Sequence, residues 1–312
     1  MKAQKRFTGW LLSAGLMLLG LAPAYGAYTT LHSFASSASD GQWPSSELVS
    51  QGGLLYGMTP YGGVSNCGTF FNVNTNGGAV SILYRFEEPT GRIPLGGLCY
   101  YNNRFYGMTS RGGSNDFGVI FSIQTNGSGY AVEHTFNDGN SANGSFPWGG
   151  LLESGGLLYG MTYRGGVSNQ GTIFSFHPST KVYANLHSFV GDVGDGKYPQ
   201  GDLVLVSGRL YGMTPQGGEH GCGVVFGMNM DGTGFDTLYE FTGQWDGCNP
   251  SGSLLADGEL LYGMSRPGNG NAGTVWSVNP TTGHFTLLRS FTGAADDGAD
   301  PVGSLIKHEG SL

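Results

Sequence analysis

Apolar residues in this chain come in short runs, each closed by glycine, asparagine or aspartate. The stretch Gly201–Phe241 shows the pattern. Its runs are "GDLVLV" (Gly201–Val206), "RLYGMT" (Arg209–Thr214), "GVVFGMN" (Gly223–Asn229) and "FDTLYEF" (Phe235–Phe241), called A to D below. Between them lie Ser207-Gly208, Gly217-Gly218 and Asp231-Gly232. Short β-rich runs with such punctuation predict strands joined as consecutive antiparallel hairpins. Along run B the pleat puts Tyr and Met on one face, and Leu, Gly and Thr on the other. Both faces are expected to be covered by neighbouring sheets.

Run B with its following loop is written five times: "LLYGMTPYGG" (Leu54–Gly63), "RFYGMTSRGG" (Arg104–Gly113), "LLYGMTYRGG" (Leu157–Gly166), "RLYGMTPQGG" (Arg209–Gly218) and, altered, "LLYGMSRPGN" (Leu260–Asn269). Tyr56, Tyr106, Tyr159, Tyr211 and Tyr262 lie 50, 53, 52 and 51 residues apart. A period of about 50 residues belongs to propellers, and four strands per unit make a propeller blade. A β-solenoid has shorter coils of roughly 20–30 residues and would need two per unit. The fold class predicted is all-β: a β-propeller of four-stranded blades. It has five complete repeats and an incomplete sixth shared between the termini. An orphan run D, "YTTLHSF" (Tyr28–Phe34), precedes the first unit, and an orphan run A, "PVGSLIKHEGSL" (Pro301–Leu312), follows the fifth. The sixth place thus has A and D but lacks B and C, and the expectation is that the sequence is a fragment.

Composition refines this picture. Glycine is 58 of 312 residues and charged residues are 12%, a balance that alone would suggest disorder. The 39% hydrophobic and 12% aromatic content instead requires a packed core, which glycine-rich turns between strands accommodate. Lys2, Lys5 and Arg6 precede an apolar run from Phe7 to Leu21 and small residues near Ala24. This predicts a secretory signal peptide over 1–26, with 27–312 as a single propeller domain that is secreted, periplasmic or at the cell surface. The apolar run is too short for a membrane span. Without the three cations of that leader, 11 Lys and Arg stand against 22 Asp and Glu, a net charge of −11. Such a chain is a poor nucleic-acid binder.

The units resemble the GloVer-type tandem repeat of exported bacterial proteins with interchangeable C-terminal anchors. The resemblance rests on "LYGMT-x-x-GG", then "GTVF"-like runs, then "L-x-S-F", and covers nearly all of 27–312. It implies an exported, propeller-like repeat protein. No anchor or sorting segment follows here, which departs from the pattern and suits a truncated end.

Candidate chemistry is weighed against packing at each position. Met58, Met108, Met161, Met213 and Met264 recur in one register, but no His or Cys recurs beside them, so they read as core filler rather than a soft-metal ring. Gly57 and its copies are expected to admit an aromatic ring from a neighbouring blade. A turn before each run A ("DGQWP" at Asp40–Pro44, "TGRIP" at Thr90–Pro94, "NGSFP" at Asn143–Pro147, "DGKYP" at Asp195–Pro199, "DGCNP" at Asp246–Pro250, "DGADP" at Asp297–Pro301) could give Asp195, Asp246 and Asp297 to Ca²⁺. Asx-Gly turn chemistry accounts for the same residues without a metal. No metal and no cofactor are therefore predicted.

If strands A to D alternate in direction, the D–A and B–C loops open on one face. They carry Trp43, Trp148, Trp245, Tyr198, Arg111, Arg164 and Arg266. Aromatic rings beside arginine suit a sugar, with a ring stacked on its face and polar groups on its hydroxyls. Each Trp could equally cap the core of its own blade. Among the four cysteines, Cys222–Cys248 is a plausible disulfide between adjacent blades and Cys67–Cys99 a weaker pairing. No G-x-S-x-G, H-E-x-x-H or P-loop motif occurs. His32, His134 and His187 share a run D position with Tyr84, Tyr239 and Arg289, which reads as an amphipathic strand surface rather than a general base. The expected function is a monomeric binding or surface-scaffold module that recognises a glycan or a protein through its loop face. The alternatives are a polysaccharide lyase or glycoside hydrolase with site residues on the D–A loops, and a purely structural surface component.

Overall fold

In a computed structural model the chain is described over residues 30–35, 40–137, 143–307 and 311. The leader predicted over 1–26 lies outside the described residues. No helix occurs among the described residues, and none is long and apolar enough to cross a membrane.

Five four-stranded antiparallel sheets follow one another along the chain, each in the order A-B-C-D. The first holds Val49–Gln51, Leu54–Thr59, Thr69–Asn74 and Ser81–Arg85. The second holds Cys99–Tyr101, Arg104–Thr109, Val119–Gln124 and Ala131–Thr135. The third holds Leu152–Ser154, Leu157–Thr162, Thr172–Phe176 and Tyr183–Ser188, and the fourth Val204–Val206, Arg209–Thr214, Val224–Asn229 and Asp236–Glu240. The fifth holds Cys248–Asp257, Leu260–Arg266, Thr274–Val278 and Phe285–Ser290. The segments from Leu31 onward belong to one compact unit.

Runs B to D match the strands closely, whereas run A in the first four units is only three residues long and shorter than expected. In the fourth unit it pairs only from Val204. The preceding Asp202 instead gives its amide to Ser253 Oγ of the next unit at 3.0 Å, so the start of run A serves the joint between sheets rather than its own ladder.

The core lies between consecutive sheets. Tyr56, Met58 and Phe70 of the first sheet pack with Phe105, Val119 and Phe121 of the second, and the same mixing recurs at the later joints. Met58, Met108, Met161 and Met213 are buried there. The fifth copy differs. The strand Leu260–Arg266 alternates between buried and half-buried, and Met264 is only half-buried, the signature of a strand covered on one face.

The close approach at Gly57 is made within a sheet, not between blades. Gly57 pairs with Phe71 in register, and a Cβ there would stand 2.8 Å from that ring. Phe121, Phe174, Phe226 and Trp276 cover Gly107, Gly160, Gly212 and Gly263 in the same way. The expectation of a neighbouring blade's ring is corrected accordingly.

Candidate functional site

The D–A and B–C loops of one unit are bonded to each other. Gly41–Gln42 pairs with Tyr61–Gly62, Gly144–Ser145 with Arg164–Gly165, and Gly196–Lys197 with Gln216–Gly217. In the second unit a single bridge, Arg92 to Arg111, takes this place, and in the fifth the ladder runs on to Cys248 and Arg266. Both loop families therefore occupy one end of each sheet.

The residue just before each loop proline is the hinge of this arrangement. Trp43, Ile93, Phe146, Tyr198, Asn249 and Asp300 all adopt the left-handed conformation, with φ between 49° and 61°. That region is uncommon for residues other than glycine and strained for a β-branched one such as Ile93. Backbone bonds hold five of the six there, and two of them on both sides. The amides of Ile93, Phe146, Tyr198, Asn249 and Asp300 donate to the carbonyls of Cys67, Phe117, Gln170, Cys222 and Ala272 in the preceding unit, at 2.7–2.9 Å. The carbonyls of Ile93 and Phe146 accept from Ser110 and Tyr163 of their own unit.

The turn aspartates shape the same loops. Asp195 accepts from the amides of Val190 (2.7 Å) and Gly196 (2.8 Å) and meets His187 Nε2 at 3.2 Å. Asp246 accepts from the Thr242 amide at 2.7 Å and the Tyr239 hydroxyl at 3.0 Å. Asp297 accepts from the Thr292 amide at 2.8 Å and Arg289 Nη2 at 3.0 Å. Asp40 repeats this with Ala35 and His32, and Asn143 with His134. The run D position that varies between His, Tyr and Arg thus faces the turn residue in each of these units. Sequence reading took it for mere surface; the signal was that every one of those side chains can donate a hydrogen bond. Where Thr90 takes the place of the acid, Tyr84 stacks on Tyr130 at 4.4 Å, as His134, His187 and Tyr239 stack on Tyr183, Phe235 and Phe285. No grouping of three or more His, Cys, Asp or Glu able to hold a metal ion occurs among the described residues.

Between the loops lies a cavity of about 870 Å³. Ile93, Phe146 and Asn249 line it, as do Tyr61, Arg111, Tyr163, Arg164 and Arg266 of the B–C loops. Trp148, one residue after its proline, also lines it and keeps 36% of its surface exposed. Trp148 stacks on Tyr163 (4.5 Å between ring centres, 7° between planes), and Tyr163 stacks on Tyr198 (5.0 Å). Arg164 lies beside this column, 5.1 Å from the Tyr198 ring centre and 5.6 Å from that of Tyr163. Arg111 covers Phe146 at 4.5 Å.

Beneath the cavity is a narrower space of about 130 Å³, which shares Ser45, Leu95, Trp148 and Gln200 with it and adds Glu47, Gly97 and Asp202. Asp202 accepts from the Gly150 amide at 2.6 Å. Burial, with Glu47 nearby, holds its carboxyl above the ordinary carboxylate range.

The residues singled out in the sequence separate here. Trp148, Arg111, Arg164 and Arg266 line the cavity, and Tyr198 supports it from behind Tyr163. Trp43 stands at the rim, 71% exposed, with its ring edge-on to Tyr61 at 5.5 Å. Trp245 is elsewhere. It precedes its Asp-Gly instead of following it and meets Phe285 edge-on at 5.7 Å. Tyr61, Tyr163, Phe146 and Ile93 join the cavity because of their place in the repeat. Cys222 and Cys248 form a disulfide, with Cα atoms 4.7 Å apart, beside the Asn249–Cys222 backbone bond. Cys67 and Cys99 are free rather than paired with each other, and burial pushes the Cys99 thiol up to about 11.

A family model for the Gloeobacter/Verrucomicrobia repeat matches residues 15–145 and 147–312. Among curated proteins none matches. Solved structures that share the fold include one from a nidogen/laminin complex (13% identity, 81% of this chain and 80% of that one, TM-score 0.53). Others are a putative 6-phosphogluconolactonase from Bacteroides uniformis (15% identity, 80% and 72%, TM-score 0.53) and a putative TolB from Agrobacterium tumefaciens (11% identity, 81% and 81%, TM-score 0.50). These place the chain among repeat folds of propeller-like form. At such identities and with such varied titles they select no activity.

Proposed function

The chain belongs to the Gloeobacter/Verrucomicrobia repeat family, and on that footing we propose that it is an exported binding module which holds a glycan in its loop-side cavity. Its framework is five complete blades and a sixth place shared by the two ends of the chain. The packing of Pro301–Ser304 against the fifth sheet supports this. Ser251 Oγ donates to the Pro301 carbonyl at 3.1 Å, and the Ser253 amide to Ser304 Oγ at 3.0 Å, as Asp202 does to Ser253 one unit earlier.

The observation that carries the binding reading is the column Trp148–Tyr163–Tyr198 with Arg164 at its side, opening into a cavity of sugar-binding size. Flat aromatic surface with a few polar groups beside it is what a sugar ring and its hydroxyls require. Binding is favoured over glycoside hydrolysis because that reaction works through a pair of carboxylates. Here the turn aspartates give their oxygens to amides and to run D donors, and the described lining offers arginines and aromatics in their place.

The test is retention of the purified chain on an array of bacterial and plant glycans. Truncating a central aromatic anchor costs about 2 kcal/mol or more. Trp148→Ala is therefore expected to weaken binding more than about tenfold, with its melting temperature close to that of the parent chain. Equal retention of the variant, or no glycan retained by the parent chain, overturns the proposal.

A further inference from the structure

The cavity has a charge at odds with the rest of the molecule. The chain after its leader carries a net charge of −11, yet three arginines and no Asp or Glu line the cavity among the described residues. The three are not equivalent. Arg111 meets Asp116 at 3.4 Å, and Arg266 holds Asp300 through two contacts of 2.6 Å. No described carboxylate reaches Arg164. Its neighbours are the faces of Tyr198 and Tyr163. Such contact uses the charge of the guanidinium and leaves its five N–H donors unused. Arg164 is half-buried, its backbone is fixed by pairing to Ser145, and it stands beside the one three-ring column of the described cavity. A partly desolvated cation without a counter-ion is unfavourable, and a bound anion relieves it.

We infer that the ligand is an acidic sugar, with its ring against Trp148 and its carboxylate on Arg164. A carboxylate matches the planar fork of a guanidinium through two parallel hydrogen bonds, which a hydroxyl cannot do. The inference deepens the glycan-binding reading and rests on it. It also explains why Arg266 is paired with Asp300 and Arg111 shares Asp116 with Arg92 while Arg164 has no acid within reach: Arg164 is kept for the ligand.

The probes are trigalacturonate, its fully methyl-esterified form, and a sulfated maltotriose, each titrated calorimetrically into the full chain. Trigalacturonate is expected to bind at least about tenfold more tightly than the ester, as a charge-assisted pair demands. Arg164→Gln removes that discrimination, bringing affinity for the acid down to that for the ester. Arg164→Lys, which keeps the charge without the fork, restores only part of it. If Arg164→Gln does not fold, the comparison of acid and ester on the parent chain decides by itself. Equal affinity for acid and ester overturns the inference and leaves the glycan reading standing. A tenfold preference for the sulfated sugar without one for trigalacturonate refutes the carboxylate. Failure of all three, together with an empty glycan array, overturns both.

Discussion

Gly96 and Gly97 are neighbours in the chain and should respond oppositely to alanine. A Cβ on Gly96 would stand 2.0 Å from the Gly149 carbonyl oxygen, 2.1 Å from its carbon and 2.5 Å from the Gly150 nitrogen. All three are backbone atoms of the next unit, and ordinary contact starts near 3.4 Å, so the closest pair would have to part by about 1.4 Å. A Cβ on Gly97 meets only Asp202 Oδ2 and Glu47 Cβ, both at 3.9 Å. Neither residue has the positive φ that demands glycine. Forcing a methyl into a packed joint costs about 1–3 kcal/mol. In a domain of this size 1 kcal/mol corresponds to about 2–4 °C. Gly96→Ala should therefore lower the melting temperature by roughly 3–10 °C. Gly97→Ala should leave it unchanged or raise it slightly, because alanine restricts the unfolded chain by about 0.4–1 kcal/mol relative to glycine. Scanning calorimetry of the two variants beside the parent chain measures the difference. Equal shifts, or a larger loss at Gly97, would refute the account of how adjacent sheets meet at their inner edge.

Two further outcomes follow from the loops. The Cys222–Cys248 bond closes a separation of 26 residues, for which chain entropy gives about 3–4 kcal/mol. Reductant should lower the parent melting temperature by roughly 7 °C or more and leave Cys222→Ser/Cys248→Ser unmoved; a response from the double variant would assign the effect to another site. The Thr292 amide, with Arg289 and the Thr292 hydroxyl, holds Asp297 well below the usual carboxylate range. A depressed carboxyl contributes stability above its unfolded value of about 3.9 and loses it as pH falls toward its folded value. The gap in melting temperature between the parent chain and Asp297→Asn should be wide at pH 6 and narrow toward pH 2. A gap independent of pH would show that Asp297 acts through shape alone.

The strands were legible because each copy of "LYGMT" occupies an equivalent, mostly two-sided environment, so hydrophobicity, period and punctuation agree. Run A was overdrawn because Gly201 and Asp202 have strand-like neighbours but bond across a joint, which no local pattern records. The two-residue ladders between D–A and B–C loops were below the length at which alternation can be seen. Trp43, Trp148 and Trp245 seemed a set because they share a loop family. They lie one residue before, one after and five before their loop prolines, and those offsets decide that Trp148 enters the cavity while Trp245 lies against Phe285. Arg164 was picked for its residue type and its loop. That it lacks an acid, unlike Arg111 and Arg266, depends on where Asp116 and Asp300 fall in space.

The left-handed residue before each loop proline carries a consequence for how such a protein changes over time. The bonds that fix Ile93 and Phe146, and the amide bonds of Tyr198, Asn249 and Asp300, are made by main-chain atoms, so the fold positions the side chain without prescribing its identity. Tryptophan, isoleucine, phenylalanine, tyrosine, asparagine and aspartate already occupy it in one molecule. Drift at this single site per unit can therefore exchange aromatic, aliphatic, amide and acidic groups one at a time, and at Ile93, Phe146 and Asn249 it changes the cavity lining itself. Asparagine and aspartate tolerate the backbone best. Copies free of other demands should accordingly relax toward them, and a large ring kept there is kept against a conformational cost.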